Sequence, residues 1–372
     1  MGMSGFGSIC RSKRTRSSLY GPLLSVVCFC VFFLCCSCTR TQGREFSRTE
    51  LMLGTVCRIT VLASPSDRFD GEAVLDAAFD RISDIEHKIS RLLPDSELSL
   101  VNDRAGIAPV VVSEETFGIV GTAFRCAEQT DGAFNPAIGP LVSLWGINTE
   151  DAKVPTEQEI ERILPLLDWK SVVLDEADRS IFLPMEGMSL DLGGIGKGYA
   201  ADAVKAVLLD MGVSDALVNL GGNILVIGTR ADGRPWRIGL QDPVAERGEY
   251  FLSLSVSDGT VVTSGPYERF FERDGVRYHH ILDSTTGRPA ATHIESVTLT
   301  GPNSTVADAL STAVFVLGFE RSFGLLEGLP GMDAVFLMDD GTIRMTSSLQ
   351  GDSSRWKDAA GRYRILPAGS DI

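Results

Sequence analysis

The chain has 372 residues, with 34 Lys and Arg, 49 Asp and Glu and four His, which gives a net charge of −15. This acidity argues against a general nucleic-acid binder, because phosphate contacts need a basic face. The hydrophobic fraction of 44%, with 22% charged residues, excludes a disordered chain and supplies enough apolar material for a large core.

The first 37 residues predict an export signal. Four basic residues precede an uncharged stretch whose apolar centre is Leu23–Leu34. A basic segment followed by a short apolar one is typical of a secretory signal and is short for a membrane span. A small residue before Cys38 resembles a bacterial lipobox, so we expect Cys38 to be the lipidated first residue of the mature chain. Cys35, Cys36 and an uncleaved anchor helix are the alternatives. All of them place the body outside the cytoplasm.

Only two cysteines, Cys57 and Cys126, lie in the body of the chain. Neither belongs to a CxxC pair or to a Cys/His metal spacing. They are either two buried free thiols or one disulfide.

The pattern along the body predicts a tether at 38–50, one large domain at 51–350 and a C-terminal tail at 351–372. Apolar spacing predicts helices at about 71–91, 114–129, 156–164, 199–211, 305–317 and 320–326. Alternation and short apolar runs predict strands at 55–61, 171–174, 180–183, 188–190, 217–226 (around a glycine pair), 236–240, 250–256, 261–263, 296–300, 334–338 and 342–346. Because helices and strands mix without strict βαβ alternation, we expect an α+β fold with a mixed sheet, in one or two lobes.

Two segments have the residue types of an anion and metal site. Asp191–Gly198 is glycine-rich and leads into a helix, where backbone N–H groups and Lys197 favour a phosphate. Asp308 and Thr312 are four apart on a predicted helix, so their oxygens share a face. A pair of hard oxygen donors suits Mg²⁺. A tight strand-to-helix turn and an Asp that stabilises the helix dipole are the structural alternatives.

Two further segments are candidates for catalysis and pocket shape. Tyr278–Pro289 contains two of the four His, and His is the natural proton acceptor near neutral pH. Asp131–Leu141 is dense in Pro and Gly, which is typical of a rigid loop that shapes a pocket. A buried structural His and a surface loop are the alternatives.

Taken together and in this order, the motifs resemble the ApbE family, the FAD:protein FMN transferases. The resemblance covers roughly residues 50–347. Its marks are Leu53–Thr55, Pro94–Leu98, Gly132–Gly146, Asp191–Asp202, Asn219–Asn223, His280–Gly287 and Ala307–Thr312.

The resemblance implies a set of site residues. Its Mg²⁺ ligands are Asp308, Thr312 and the backbone carbonyl of Gly194. Its FAD-binding positions are Leu53, Leu92, Ala133, Phe134, Asn135, Asp191, Lys197, His280 and Ile281. The family often has Tyr at the position of Leu92, where it would stack on the flavin.

The resemblance also implies an activity and a location. Family members are periplasmic, often lipid-anchored and Mg²⁺-dependent, and they transfer FMN from FAD to a Thr hydroxyl of an acceptor protein, releasing AMP. The usual acceptors are subunits of Rnf- and Nqr-type redox pumps. A Thr hydroxyl needs a base to react, and either His280 or Asp283 is the candidate.

Three other functions compete with the transferase. A less covered flavin at Leu92 would admit water, giving a Mg²⁺-dependent FAD pyrophosphatase that releases FMN and AMP. A flavin-storage lipoprotein would need no metal. A solute-binding transporter subunit would need twin α/β domains, which the strand pattern does not predict.

Overall fold

The structure, a computed structural model, describes residues 43–369. The predicted signal at 1–37 and the lipidation site Cys38 lie outside the described residues. Within 43–369, no helix is long and apolar enough to cross a membrane.

The helices of this range follow one another in chain order. They are α1 (Gly71–Ile89), α2 (Glu97–Asp103), α3 (Glu114–Gln129), α4 (Gly139–Trp145), α5 (Glu157–Ile163), α6 (Gly196–Asp210), α7 (Ser304–Leu317), α8 (Phe319–Glu327) and α9 (Ser347–Gly351). Short 3₁₀ turns cover Leu164–Leu167 and Trp169–Ser171.

The strands lie before and between these helices, and ten of them, from 215 to 301, follow one another without a helix. They are β1 (Arg44–Met52), β2 (Thr55–Ala63), β3 (Val110–Val111), β4 (Val173–Asp175), β5 (Ser180–Phe182), β6 (Asp215–Leu220), β7 (Asn223–Ile227), β8 (Trp236–Gln241), β9 (Tyr250–Val256), β10 (Gly259–Ser264), β11 (Phe270–Arg273), β12 (Val276–His279), β13 (Leu282–Asp283), β14 (Arg288–Pro289), β15 (Ile294–Gly301), β16 (Asp333–Met338), β17 (Thr342–Met345), β18 (Trp356–Asp358) and β19 (Arg364–Ile365).

A nine-stranded sheet forms the frame, in the order β1-β2-β6-β7-β10-β15-β16-β17-β19. Its neighbours are antiparallel except β17 and β19, which run parallel, so the sheet is mixed. Strand β16 is buried along its whole length because both faces of the sheet are covered. Phe336 packs with Phe315 and Phe319 of the helices, whereas Val335 and Leu337 pack with the smaller sheet β18-β9-β8. These layers form one α+β domain, as the sequence predicts.

Local signals explain the helices that the sequence predicts. Helix α1 is capped by the Asp70 carboxylate, which accepts a hydrogen bond from the Glu72 N–H, and its apolar stripe is buried. Helix α5 begins with a capping box in which the Thr156 and Glu159 side chains each bond the other's backbone N–H. The predicted positions of all six helices are confirmed to within a few residues. Helix α6 begins three residues before the predicted start at Tyr199.

Several predictions are wrong. The tether predicted through residue 50 includes edge strand β1, which pairs antiparallel with β2 from Arg44 to Met52. The strand was not recognised because its sequence is polar, and the sequence is polar because much of one face of β1 is open to solvent. The tail predicted from 351 contributes β18, which pairs with β9, and β19, which pairs with β17.

The predicted strand at 188–190 is an extended segment that joins no sheet, because its Leu190 N–H bonds the Asn102 side chain instead of a strand. Helices α2 and α4 and the β11–β12 hairpin were not predicted from the sequence. Cys57 and Cys126 are free and buried, and burial raises the pKa of each thiol to about 11. No disulfide joins them.

Candidate active site

The first turn of α6 crosses α7 at very short range. A Cβ on Gly198 would lie 2.2 Å from the Ser304 carbonyl oxygen and 2.8 Å from the Asp308 Cβ. Only glycine allows this approach, because any side chain would strike backbone atoms. The crossing therefore brings the Asp308 side chain to the N-terminus of α6.

Asp308 is a buried carboxylate with two partners from α6. It is 4% exposed. Its Oδ2 accepts a hydrogen bond from the Gly198 N–H at 2.9 Å, and its Oδ1 lies 3.4 Å from the Lys197 Nζ. Burial raises the pKa of Asp308 above its ordinary value, and the Lys197 charge and the Gly198 N–H oppose that shift. A second positive charge at this carboxylate would favour its ionised form.

Thr312 and Gly194 lie beside this carboxylate. Thr312 is one helical turn beyond Asp308, and its hydroxyl has no hydrogen-bonding partner among residues 43–369. The Cβ position of Gly194 lies 3.4 Å from the Thr312 Oγ1 and 3.1 Å from the Phe134 ring. The three residues that the resemblance implies for the metal thus converge at the α6–α7 crossing.

This donor set fits Mg²⁺. One carboxylate, one unpartnered hydroxyl and nearby backbone oxygen are hard donors, and Mg²⁺ typically takes one or two carboxylates with water and substrate phosphates. Within the described range, no cluster of three or more His, Cys, Asp or Glu is present that would favour a metal held by protein alone. Asp308 and Thr312, with the Gly194 carbonyl, are the residues that would hold the ion.

The loop that precedes α4 forms one wall beside Gly194. The Thr130 hydroxyl accepts from the Phe134 N–H at 3.2 Å, which turns the Phe134 ring toward Gly194. Asn135 holds the loop in place: its Nδ2 donates to the Leu167 carbonyl at 2.9 Å and its Oδ1 accepts from the Ala137 N–H at 2.8 Å. Ala133 is partly buried against the core. Because the amide nitrogen and oxygen of Asn135 both bond to the protein backbone, this residue shapes the loop.

The glycine-rich turn before α6 has acidic and basic groups at its ends. Asp191 accepts from the Gly193 N–H at 2.8 Å and lies 3.3 Å from the Arg91 Nε. Lys197, at the other end, contacts both the Asp308 carboxylate and the Gly193 carbonyl at 3.4 Å. The turn therefore offers helix N-terminal N–H groups and an adjacent lysine, which together favour a phosphate.

Two leucines occupy positions that the resemblance implies for the flavin. Leu53 occupies the β1–β2 turn at φ 53°, an unusual backbone region for leucine, and its N–H donates to the Glu86 carboxylate at 2.9 Å. Leu92 follows α1 and is 80% exposed.

His280 carries the lone pair that a base needs. Its Nδ1 lies 3.2 Å from the Arg269 carbonyl oxygen, which can only accept, so Nδ1 carries the proton and Nε2 is the acceptor. The ring keeps some contact with solvent but is densely surrounded by protein. This desolvation, with the charges of Arg269 and Lys197, lowers the pKa of His280 well below its ordinary value. Ile281 beside it is buried in the core of the α7–α8 layer.

Asp283 is engaged within its own loop. Its Oδ1 accepts from the N–H of Thr285 at 2.8 Å and from its hydroxyl at 2.7 Å, and its Oδ2 accepts from the Thr286 hydroxyl at 3.1 Å. These three hydrogen bonds occupy both carboxylate oxygens of Asp283. Asp283 therefore shapes the loop that follows His280, whereas the His280 Nε2 is the ring atom that can accept a proton.

The sequence analysis did not single out several residues that support this site. Asp202 on α6 caps α7 by accepting from the N–H groups of Ser304 and Thr305 at 3.0 and 2.8 Å. Asn223, at the start of β7, accepts from the Ser304 hydroxyl at 2.8 Å. Each is the last residue of a glycine-rich motif, Asp191–Asp202 or Asn219–Asn223. A polar residue at that place in the motif is the sequence feature that could have indicated a supporting role.

The family model described as the ApbE family matches residues 53–336. The FAD:protein FMN transferase of Treponema pallidum (strain Nichols) is 42% identical over 323 residues, which are 83% of this chain and 89% of the relative. The FAD:protein FMN transferase of Klebsiella pneumoniae (strain 342) is 39% identical over 307 residues, which are 82% of this chain and 93% of that protein.

Solved structures of the same family have a similar fold. The crystal structure of the ApbE protein from Thermotoga maritima superposes with a TM-score of 0.76 at 34% identity, over 82% of this chain and 98% of the other. The flavin transferase ApbE from Vibrio cholerae gives a TM-score of 0.75 at 29% identity, over 83% and 99% of the two chains. By sequence match and by fold, the chain belongs to the ApbE family.

Proposed function

We propose that this protein is a Mg²⁺-dependent FAD:protein FMN transferase, which moves FMN from FAD to a Thr hydroxyl of an acceptor protein and releases AMP. The observation that carries the proposal is the convergence of the buried Asp308 carboxylate, the unpartnered Thr312 hydroxyl and Gly194 at the N-terminus of α6. The names of the relatives support the same reaction.

The chemistry follows from the residues around this point. The acceptor hydroxyl oxygen forms a bond to the phosphorus of the FMN half, and the bond from that phosphorus to the bridging oxygen breaks, so AMP leaves with the electron pair. The hydroxyl proton passes to the Nε2 of His280, because Nδ1 already carries a proton toward the Arg269 carbonyl oxygen. Lys197 and the N–H groups of the turn before α6 bind and orient the diphosphate. Mg²⁺ on Asp308, Thr312 and the Gly194 carbonyl would supply positive charge that stabilises the leaving AMP oxygen.

The location and the acceptor are part of the proposal. A lipid on Cys38 would hold the domain on the periplasmic side of a bacterial membrane, where FAD carries its own reactive diphosphate. The acceptor is then a membrane redox subunit of the Rnf or Nqr type, with the flavinylation pattern Asp-Gly-x-Ser/Thr-Gly-Ala-Thr.

A second function, FAD pyrophosphatase, is favoured by the exposed Leu92. A leucine covers the flavin less tightly than an aromatic ring would, and water then competes with the acceptor hydroxyl for the same phosphorus. The products would be free FMN and AMP.

Chromatography of FAD incubated with the full chain separates these functions. The sample contains Mg²⁺ or EDTA, with or without a peptide of the acceptor pattern. We expect Mg²⁺-dependent AMP with FMN attached to the peptide. AMP with an equal amount of free FMN in the two Mg²⁺ samples, with and without the peptide, would identify a hydrolase. The absence of AMP in every sample would overturn both functions.

A further inference from the structure

One buried polar atom beside the site has no hydrogen bond. Asn223 is 2% exposed, and its amide Nδ2 has no partner among the described residues. A buried donor without a well-formed hydrogen bond, next to a candidate metal site, calls for a functional explanation.

The Asn223 amide lies at the end of two buried hydroxyls. The Thr260 hydroxyl lies 2.9 Å from the Ser304 Oγ, and the Ser304 Oγ lies 2.8 Å from the Asn223 Oδ1. The Thr260 hydroxyl also lies 2.8 Å from the Ile224 carbonyl, which can only accept, so the single Thr260 proton does not set the direction of the Ser304 hydroxyl. The Asn223 atom at Ser304 is the oxygen because the opposite amide direction would set that oxygen against the Asp308 carboxylate. The amide nitrogen is thereby turned away from Ser304.

The amide nitrogen is turned toward Asp308. Ser304 and Asp308 are four residues apart on α7, so they share a face of the helix and lie one turn from each other. The Asn223 amide interacts favourably with the Asp308 carboxylate, although its Nδ2 falls outside hydrogen-bond geometry. The reversed amide would instead place an oxygen against a carboxylate. The buried chain Thr260–Ser304–Asn223 thus ends at Asp308.

We propose that Asn223 is a positioning residue that aims the Asp308 carboxylate at the divalent cation, with the Ser304 hydroxyl holding its amide oxygen. The proposal rests on the Mg²⁺ role of Asp308 in the proposed function and adds residues to it. Partners of this kind orient metal ligands, and their loss typically weakens metal binding about 10- to 100-fold.

The experiment measures binding of Mn²⁺, an EPR-visible substitute for Mg²⁺, to the full chain in the presence of ADP. ADP supplies a diphosphate and cannot transfer FMN, so the result does not depend on turnover. We expect Asn223→Ala to weaken Mn²⁺ binding about 10- to 100-fold. Circular dichroism verifies that the variant is folded.

Thr298→Val is the matched control. It removes the buried hydroxyl pair of Thr298 and Thr263, 2.8 Å apart in the same sheet, which does not reach Asp308. We expect this variant to bind Mn²⁺ like the wild type. Equal Mn²⁺ affinity of Asn223→Ala and the wild type would overturn the positioning role.

Asn223→Asp separates positioning from packing. It keeps the shape and the acceptor for Ser304, but it places a second carboxylate against Asp308. Without metal the two charges repel, and a cation relieves the repulsion. We therefore expect Mn²⁺ to raise the Tm of this variant more than that of the wild type. An equal rise would show that the amide does not face Asp308. If the wild type binds no Mn²⁺, the metal assignment fails, and this proposal fails with it.

Discussion

The two sides of the candidate site are held in different ways. The proposed metal side (Gly194, Asp308 and Thr312) lies at a helix crossing where a Cβ on Gly198 would strike the backbone of the neighbouring helix. The proposed flavin rim (Leu53, Leu92 and His280) lies on turns and loops, and Leu92 is largely in solvent. We infer that the metal side tolerates almost no change, whereas the rim can vary and alter which nucleophile reaches the phosphorus.

The largest expected effect comes from Asp308→Ala. It removes the only carboxylate of the metal side, so that the Gly198 N–H loses its acceptor and the Lys197 ammonium loses its ion-pair partner. We expect AMP release to fall by about 10³-fold or more, with FAD binding partly retained. The measurement is AMP release against Mg²⁺ concentration, with flavin fluorescence for FAD binding.

Asp308→Asn is the matched variant, because it keeps the volume and an acceptor for Gly198 but loses the charge. We expect it to lose the Mg²⁺ response as Asp308→Ala does. Mg²⁺-dependent turnover at the wild-type level in either variant would contradict the metal assignment.

On the rim, His280→Asn removes the proposed base. We expect transfer to the peptide to fall about 10²-fold, with little change in Mn²⁺ binding. The measurement is the initial rate of peptide flavinylation. A rate within about twofold of the wild type would exclude His280 as the base and return attention to Asp283.

The lowered pKa of His280 predicts how the transfer rate depends on pH. A histidine of ordinary pKa would lose about three quarters of its neutral form at pH 6. His280 stays neutral there, so we expect the wild-type transfer rate to change little from pH 8 to pH 6. A rate that falls severalfold by pH 6 would contradict a buried neutral base.

The same shift affects folding stability. In the unfolded chain this histidine is protonated below about pH 6.5, whereas in the folded chain it stays neutral, so folding stability is lost as the pH falls.

The helix crossing is tested by Gly198→Ala. The added Cβ would meet the Ser304 carbonyl and push α6 from α7, which we expect to cost about 1–3 kcal/mol of stability and to weaken Mn²⁺ binding. Gly118→Ala, at an open position of α3, is the control, and we expect it to stabilise by about 0.5–1 kcal/mol. Urea unfolding compares the two. Equal effects would show that the crossing is not close-packed.

The sequence could predict features whose cause is local. The stripe of α1 and the capping box of α5 depend on side chains three and four residues apart, and the helices follow them closely. Asp308 and Thr312 share a face for the same reason. The polar edge strand β1 could not be recognised, because its pairing with β2 depends on the sheet rather than on its own composition.

The supporting groups of the site could not be predicted for a related reason. Asn223 reaches Ser304 across 81 residues of chain, and Gly198 reaches Asp308 across 110. The sequence around Asn223 and the sequence around Gly198 do not indicate that each residue will contact helix α7. The exposed state of Leu92 and the internal hydrogen bonds of Asp283 are likewise outcomes of tertiary packing.

The smallest expected effect, and the sharpest test of the rim, is Leu92→Tyr. An aromatic ring at this exposed position would stack on the flavin and add about 0.5–1.5 kcal/mol, so we expect FAD to bind about two- to tenfold more tightly. The same cover would exclude water and lower the ratio of free FMN to peptide-bound FMN. Leu100→Tyr, at an exposed position of α2, controls for an added surface aromatic. If Leu92→Tyr and Leu100→Tyr give the same product ratio as the wild type, the choice between water and the acceptor hydroxyl is not made at residue 92. In that case the loop from His280 to Gly287 is the next part of the rim to vary.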